Sequence, residues 1–593
     1  MKTNILESYS ITALTIILGS LAAAPPAKSQ PITPANDGTG TTVNQNSNQF
    51  NIQGGTQSGA NLFHSFDKFN VPTNQTANFL TTPDTQNILG RVTGGNASYI
   101  NGLIQVLGSN SNLFLMNPAG IMFGPNASLN IPASFSVTTA TGIGFDNNNY
   151  WFKAMGTNDY SNLVGNPSGY RFNVSNPGAI VNEGNLSLNP GENLTLLGGT
   201  VINTGELSTA GGNITVAAVE GGSVLRISQP GYLLSLEVET LDATSLQNGE
   251  NISITPLSLA RLLTGGEIAQ ATSVIVNANG EIVLTDSNTL VANTPGDAIV
   301  SGSINVSIPP NPPYEGGDMN SIPLFNKDGR AIESSSPFNK GGQGGSNTGG
   351  QVNVLGSRVA LLNSNINADG LNGGGTVLIG GDFQGNGIVP NSQQTFVNNN
   401  SFISADTITN GDGGRVIIWS DGITDFAGNI SAKGGENSGD GGFVEVSGKE
   451  ELIFNGNVDV SAAFGNPGTI LLDPENVTVG DETSDSETLK DNSEVSATEN
   501  TDSQTTENSD NSDTTETETP IDPFAQDENA DVTISAENLG ELSGDVILLA
   551  DNDITINEKI ETDSSVELKA GRSININADI DTSVGNGNID LFG

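Results

Sequence analysis

Residues 178–218 read GAIVNEGNLSLNPGENLTLLGGTVINTGELSTAGGNITVAA, and they carry the clearest structural signal in the chain. Short apolar runs begin every seven or eight residues, near Ile180, Leu186, Leu194, Val201, Leu207 and Ile214. Glycine, proline and asparagine separate these runs and mark turns. Because no run is long enough to bury its own apolar face, the runs must stack in coils of about 20 residues. The stretch therefore predicts a parallel β-helix, with Ile, Leu and Val inside and polar residues at the corners.

The same pattern extends over most of the chain. It predicts three blocks of β-helix repeats, which are residues 151–308, 350–480 and 532–593. Helix-forming stretches are scarce, so we expect an all-β protein. The last strand pattern stops at Gly593 without an atypical capping coil, which leaves a longer chain and an abrupt end of the rod both open.

Two segments interrupt the repeats. Residues 309–349 contain Pro-Pro and Gly-Gly pairs without periodicity, which predicts a loop insertion that leaves the rod. Residues 481–531 are rich in Asp and Glu and have Lys490 as their only basic residue, which predicts a disordered acidic linker. Because these carboxylates lack the glycine-centred spacing of a calcium loop, a linker is preferred to a cation site.

The first 29 residues have the pattern of a secretory signal peptide. Lys2 supplies a basic start, the apolar run covers residues 11–24, and small residues up to Ser29 offer cleavage positions. The alternative is an uncleaved membrane anchor, which requires about 20 apolar residues. Because the run is shorter, we expect residues 1–29 to be removed and the mature chain to leave the cytoplasm.

Charge and cysteine content restrict the function further. The formal net charge is −46 and the pI is about 4.1, so the chain lacks the clustered Lys and Arg that a phosphate-binding surface needs. This excludes nucleic acid as an expected partner. The chain has no cysteine, so stability must come from apolar stacking and backbone hydrogen bonds. A chain threaded unfolded through a pore would also be hindered by disulfides, and their absence is consistent with that route.

Several amino-terminal blocks have a more specific pattern. They are Asn61–Phe66 (NLFHSF), Phe69–Val71 (FNV), Asn87–Gly95 (NILGRVTGG), Asn112–Ile121 (NLFLMNPAGI), Phe123–Ala127 (FGPNA) and Ala133–Phe135 (ASF). Together they resemble the secretion domain of the filamentous haemagglutinin family, and the resemblance covers residues 30–150. It implies a two-partner secretion domain and a right-handed, single-stranded β-helix of the pectin-lyase-like type. Right-handed crossovers are also the general rule for parallel strands.

The family's best-known motif is Asn-Pro-Asn-Gly-Ile. Here Asn117, Pro118, Gly120 and Ile121 match it, whereas Ala119 replaces the second Asn, and the family's Asn-Pro-Asn-Leu motif is absent. Proline fixes φ, glycine supplies a positive φ and an Asn side chain can hydrogen-bond nearby backbone. We therefore expect these four residues to shape a turn, while strand edges that they position contact the transporter.

The resemblance implies a partner and a route. An outer-membrane barrel transporter of the two-partner type would recognise the amino-terminal module after the chain has reached the periplasm. The exported chain would be secreted or displayed on the cell surface as a haemagglutinin-like adhesin whose ligand the sequence does not identify. No cofactor or metal is expected.

Two other functions remain alternatives. A contact-dependent toxin system uses such a rod as a stick, and some parallel β-helices degrade polysaccharides with clustered carboxylates. Against an enzyme, His64 is the single histidine, the arginines are scattered, and the Asp residues lie at glycine-rich corners where Asp is a common turn residue. Trp419 and Phe443 lie in alternating strands and are interpreted as core. The sequence therefore predicts no enzyme.

Overall fold

The structure is a computed structural model. It describes residues 30–229, 233–240, 259–264, 272–277, 281–285, 287–291, 294–309, 347–387, 389–480, 522–524, 534–583, 585 and 587–593. The predicted signal peptide (1–29), most of the insertion (309–349) and most of the acidic linker (481–531) lie outside the described residues.

Parallel strands stack into a rod with three walls, which confirms the predicted all-β parallel β-helix. The long wall is a 16-stranded sheet. Its strands are Ile32–Pro34, Thr56–Ser58, Asn61–Phe69, Asn87–Val92, Asn112–Met116, Phe135–Thr138, Asn193–Gly198, Asn213–Ala218, Gln351–Leu355, Thr376–Ile379, Arg415–Ser420, Phe443–Gly448, Thr469–Leu472, Asp545–Ala550, Val566–Ala570 and Ile589–Phe592. At a strand spacing of about 4.8 Å this wall is roughly 70 Å long.

The middle wall is a 13-stranded sheet in which all pairings are parallel. Its strands are Ser98–Ile100, Ile121–Phe123, Ala179–Asn182, Thr200–Asn203, Asp297–Val300, Arg358–Leu361, Gln394–Val397, Ile423–Phe426, Glu451–Phe454, Val477–Gly480, Ile534–Ser535, Asp553–Ile556 and Ser573–Ile576.

The short wall consists of three sheets along the third side of the rod. Its first sheet contains Thr41–Asn46, Gln49–Gly54, Thr76–Leu80, Leu103–Leu107 and Ser128–Asn130. Its second contains Asn185–Ser187, Glu206–Ser208, Ser303–Asn305, Asn365–Asn367, Phe402–Ser404, Asn429–Ser431 and Asn457–Asp459. Its third contains Ile560–Glu561 and Ile580–Asp581.

The core is a set of stacked side chains. In the long wall, in-register pairing places one residue from each coil directly above the next, and all are nearly inaccessible to solvent: Ile214, Val352, Val377, Val416, Val444, Ile470 and Val546. Each such burial stabilises the rod by about 1.5 to 3 kcal/mol. The strands found between residues 179 and 218 begin where the apolar runs predict them. Glycine is required at some corners, because a β-carbon at Gly441 would collide with the carbonyl oxygen of Val460.

Two groups of elements pack on the outside of the walls, and sequence periodicity does not predict them. The flank sheet is antiparallel and covers the long wall with Gly142–Phe145, Tyr150–Lys153, Gly169–Phe172, Ser223–Gln229 and Leu233–Thr240. The flank cover lies on the middle wall and consists of the α-helix Leu259–Thr264 with the strands Val274–Val276, Ile282–Leu284 and Thr289–Leu290. Residues 151–308 therefore combine β-helix coils with segments that leave the coil.

The other helical elements among the described residues are short. They are the α-helix Ala536–Glu541 and the 3₁₀ turns Tyr160–Asn162 and Phe383–Gly385. Within the described ranges, no helix has the length and hydropathy that crossing a bilayer requires.

The amount of chain in one coil varies widely while the register persists. The side chains of Asn193 and Asn213 are bonded across neighbouring coils and are 20 residues apart. The equivalent pair Thr215 and Asn353 is 138 residues apart, because the flank cover and the 309–349 segment lie between them. Insertions therefore leave the strand pairing of the rod unchanged.

Candidate functional site

The predicted motif turn lies inside the amino-terminal module, which we define as residues 30–229. Asn117 is completely buried, and its Nδ2 donates hydrogen bonds to Asn96 O and Ser98 Oγ, both at 3.0 Å. The backbone N–H groups of Ala119 and Gly120 donate to Asn117 Oδ1 at 3.0 Å and to Asn117 O at 3.1 Å. One asparagine thus closes the turn and joins it to the preceding coil.

The rest of the motif is also enclosed. Pro118 and Ile121 are buried, and Gly120 has φ +119°, a backbone conformation that side chains with a β-carbon rarely adopt. A β-carbon at Gly120 would lie 3.3 Å from Leu262 Cδ1, because the helix of the flank cover passes over the turn. The structure brings the four predicted residues together at a buried turn, where a partner protein cannot reach them.

His64 lies beneath the hairpin that closes the amino-terminal end of the rod. Its side chain has no exposed surface, its Nδ1 is 3.4 Å from Thr41 Oγ1, and its ring packs near Phe66 and Phe79. Burial lowers the pKa of His64 to about 4, so the ring is neutral at neutral pH. Among the described residues, its Nε2 has no hydrogen-bond partner. The single histidine is therefore a packed residue.

Arg91 joins three parts of the module. Its guanidinium is 2.8 Å from Asp37 Oδ2, and its Nη1 donates to the carbonyls of Lys153 at 2.8 Å and Gly156 at 2.9 Å. Only 2% of its side chain is exposed. Burial alone would raise the pKa of Asp37, but hydrogen bonds from Ser65, Thr39 and Arg91 lower it to about 2. This ion pair locks the loop that carries Asp37, the long wall and the flank sheet together.

A ladder of asparagines starts the family-like blocks. Asn87 Nδ2 donates to Asn61 Oδ1 and Asn112 Nδ2 donates to Asn87 Oδ1, both at 2.9 Å. Asn61 Nδ2 in turn donates to Leu163 O at 3.0 Å and Gly165 O at 2.8 Å. Three of the six blocks begin with Asn, at positions 61, 87 and 112. This recurrence was a signal for the ladder, which sequence reasoning missed.

The corner aspartates act as turn residues. Asp412 Oδ1 accepts a hydrogen bond from Asp440 N at 2.9 Å, and Asp440 Oδ1 accepts one from Asn466 N at 2.8 Å. Asp425 instead lies in a wall strand, where burial and Glu451 raise its pKa to about 6. The arginines noted in the sequence stay apart, because Arg91 belongs to the amino-terminal module whereas Arg415 pairs with Asp382 at 2.9 Å.

A pair of acidic side chains that sequence reasoning did not single out lies in the central rod, which we define as residues 347–480. Glu445 is fully buried on the outer side of the long wall, and Gln384 N donates to its two carboxylate oxygens at 3.1 and 3.3 Å. Gln384 Nε2 also donates to Asp473 Oδ2 at 3.1 Å. Burial raises the pKa of Glu445 to about 8 and that of Asp473 to about 6.

The loop that carries Gln384 covers these acids and Trp419. Trp419 is 4% exposed, and it faces outward beneath Gly381 and Gly385 instead of pointing into the β-helix. Its Nε1 donates to Asp421 Oδ1 at 3.1 Å. Phe443 is half-buried beside Phe383 on the same outer side. Both aromatic residues are therefore packed, although against a covering loop and not in the interior. In the part of the chain that the structure describes, no group of three or more His, Asp or Glu is arranged to hold a metal ion.

Comparison with known proteins gives one family match. Residues 29–284 match the family of TPS secretion domains. Two solved structures are similar to the chain. The first is the HMW1 secretion domain from Haemophilus influenzae, with 22% identity, a TM-score of 0.38, and coverage of 73% of this chain and 99% of that chain. The second is a filamentous hemagglutinin secretion domain, with 14% identity, a TM-score of 0.29, and coverage of 75% and 100%. A search of the curated proteins found no match.

Proposed function

We propose that this chain is a two-partner secretion exoprotein that acts as an adhesin after export, because residues 29–284 match the family of TPS secretion domains. Such a domain implies a partner transporter in the outer membrane, through which the exoprotein is secreted. A signal peptide in residues 1–29 would bring the chain to the periplasm, where the transporter meets it.

The exposed face of the short wall supports the adhesin assignment. In its seven-stranded sheet the middle residue of each strand points inward, and the flanking residues are mainly Asn and Ser. Asn185, Asn305, Asn365 and Asn457 are exposed, and so is Phe402 at 51%. The flank sheet and the flank cover occupy the other two walls over part of the rod. A flat face with many side-chain donors and acceptors suits contact with other surfaces.

Recognition by the transporter is assigned to the edge strand Thr41–Asn46. It pairs with Gln49–Gly54 on one side and ends its sheet on the other. Most of its side chains are exposed or half-buried, so its free backbone groups are accessible for pairing with a strand of another protein. The motif turn supports this edge indirectly, since it fixes the coils on which the hairpin rests.

Export is tested with an epitope-tagged full chain in a double-membraned host, with and without a candidate barrel transporter. We expect surface appearance only with the transporter, and less of it for Asn117→Ala and Gly120→Val, because both substitutions disrupt a buried turn. Asn457→Ala, at an exposed asparagine of the short wall, is the matched control and should be exported normally. Equal surface appearance without the transporter would contradict two-partner export.

Adhesion is tested by blocking one face at a time, which the absence of cysteine makes straightforward. Cells that export Asn365→Cys are treated with a polyethylene glycol maleimide, and their attachment to glass and to one another is measured. Labelling should reduce attachment at least five-fold. The control is Gln393→Cys, an exposed position beside the middle wall. Equal attachment after both labels would remove the short wall as the adhesive face.

A further inference from the structure

Phe524 occupies a place on the rod that its position in the sequence does not explain. It is 8% exposed and packs on the outer face of the middle wall with Ala360 and Leu362, beside Phe396. It extends the apolar cluster that the flank cover forms on the earlier strands of the same wall. A phenylalanine near the end of the acidic segment 481–531 is thus buried on the flank of the rod.

The arginine that contacts this ring is fixed by an ion pair within the middle wall. The guanidinium of Arg358 lies 4.5 Å from the centroid of the Phe524 ring. Arg358 Nε and Nη2 each donate a 2.8 Å hydrogen bond to the two carboxylate oxygens of Asp297, whose side chain is 1% exposed. This bidentate pair fixes the plane of the guanidinium, which can therefore stack on an aromatic ring.

The segment that inserts is also organised locally. Phe524 N donates a hydrogen bond to Asp522 Oδ1 at 3.0 Å, and Pro523 between them restricts φ. The Asp522 carboxylate lies near enough to Asp297 to contribute to the raised pKa of that buried carboxyl. Asp522-Pro523-Phe524 is thus a short, locally organised motif whose anchor is the aromatic ring of Phe524.

The contact between Phe524 and Arg358 does not follow from the path of the chain. The chain leaves the middle wall at Val477–Gly480 and rejoins it at Ile534–Ser535, which pairs with both Val477–Gly480 and Glu451–Phe454. The strand Arg358–Leu361 lies several strands away, about 20 Å along the rod. Nine residues separate Phe524 from Ile534, and they can span about 30 Å, which permits the return. The motif therefore lies on a strand that is four positions along the wall from the strand where the chain next joins it.

We propose that Arg358, Ala360, Leu362 and Phe396 form a docking site for the chain's own Asp522-Pro523-Phe524 motif. The occupant is an acidic, proline-rigidified aromatic segment of the same molecule. Docking holds Asp522, Pro523 and Phe524 against the flank of the rod. It thereby ties the coils after residue 534 to coils that precede the acidic segment.

Site-specific photo-cross-linking in the full chain tests the docking. The photoreactive amino acid p-benzoylphenylalanine is placed at position 524, irradiated, and the cross-linked peptide is identified by mass spectrometry. We expect a cross-link within one molecule to the peptide that contains residues 358–362 or to Phe396. The control places the same amino acid at Phe464, which is 74% exposed and should give no cross-link to that peptide.

Two cross-linking results would contradict the docking, and two sets of substitutions test the contact with Arg358. A cross-link between two copies, seen as a dimer on a denaturing gel, would overturn docking within one molecule. Cross-links scattered over the surface, or none, would overturn the site itself. The double substitution Asp297→Asn with Arg358→Met removes the stacked guanidinium without leaving a buried charge, and we expect it to reduce the cross-link yield at least five-fold. Arg415→Met, which removes an arginine from another aromatic ring, should leave the yield unchanged.

Discussion

The amino-terminal module and the central rod share one architecture but bury opposite kinds of ionisable group. The module encloses large aromatic side chains, including Phe66, Phe79 and Phe123, together with His64. The central rod is filled mainly by Val, Ile, Leu and Ala, and it buries Glu445 under a loop. Because an imidazole gains charge in acid and a carboxyl gains charge in base, the two regions should lose stability in opposite directions of pH.

The chain contains the means to observe the two regions separately. It has two tryptophans, of which Trp151 lies in the flank sheet of the amino-terminal module and Trp419 in the central rod. Trp419→Phe leaves a reporter for the module, and Trp151→Phe leaves one for the rod. Fluorescence during urea unfolding then gives a free energy of unfolding for each region, provided that each transition is two-state.

The largest expected effect is the loss of rod stability in base. The pKa of Glu445 is raised from 4.5 to about 8, so its contribution to stability is complete below pH 4.5 and is lost as the pH rises through 8. The loss should reach about 4 to 5 kcal/mol. Asp473 adds to it over the lower part of this range. Glu445→Gln should remove the pH dependence seen by Trp419 above about pH 6, where Asp473 and Asp425 are already largely ionised. Glu450→Gln, at an exposed position, should leave that dependence unchanged.

The next largest effect is expected in the module on removal of Arg91. Arg91→Met leaves Asp37 without its buried ion-pair partner and should lower the free energy of unfolding seen by Trp151 by about 3 to 5 kcal/mol. Arg415→Met is the matched control, because Arg415 is 38% exposed and pairs with Asp382 near the surface. We expect it to cost less than about 1 kcal/mol. Similar losses for the two variants would contradict the locking role of Arg91.

Acid should weaken the module through His64. Its pKa is lowered from 6.5 to about 4, so the stability that the neutral ring provides is present above pH 6.5 and is lost as the pH falls to 4. The loss should be about 3 kcal/mol. Asp37, with a pKa of about 2, affects stability only at lower pH. Because the chain has one histidine, its ring signals in an NMR titration are unambiguous, and a midpoint near 6.5 would refute this prediction.

The smallest effect separates the asparagine ladder from the surface asparagines. Asn87→Ala removes the hydrogen bond that Asn87 donates to Asn61 and the one that it accepts from Asn112. We therefore expect the free energy of unfolding in the Trp151 transition to fall by about 1 to 3 kcal/mol. Asn457→Ala, on the exposed short wall, should change the Trp419 transition by less than about 0.5 kcal/mol. Equal values would mean that the ladder does not contribute to stability.

The sequence predicts the coils well and the flanks poorly, for one physical reason. Apolar alternation reports which side of a strand is buried, and it located the runs that begin at Ile180 and Leu194. It does not report what covers the outer side. Glu445 alternates with Val444 and Val446 as a solvent-facing residue would, but the distant loop at Gln384 covers it.

The motif turn at Asn117–Ile121 also has a property that the local sequence does not predict. Pro118 and Gly120 were sufficient to predict a turn, because both act through local backbone conformation. The burial of that turn depends on Leu262, which follows it by more than a hundred residues. Local chemistry therefore predicts the shape of this site, whereas its inaccessibility requires the tertiary structure.

The coil that spans 138 residues between Thr215 and Asn353 keeps the same strand register as a neighbouring coil of 20. The corners of the rod can therefore take up additional sequence without a change in strand register. Evolution can lengthen, exchange or delete a corner segment without altering the hydrophobic stack, so new binding properties can arise independently of export. For the same reason, the corner between Asn305 and Gln351 is a suitable place to graft a foreign domain that is to be carried out of the cell.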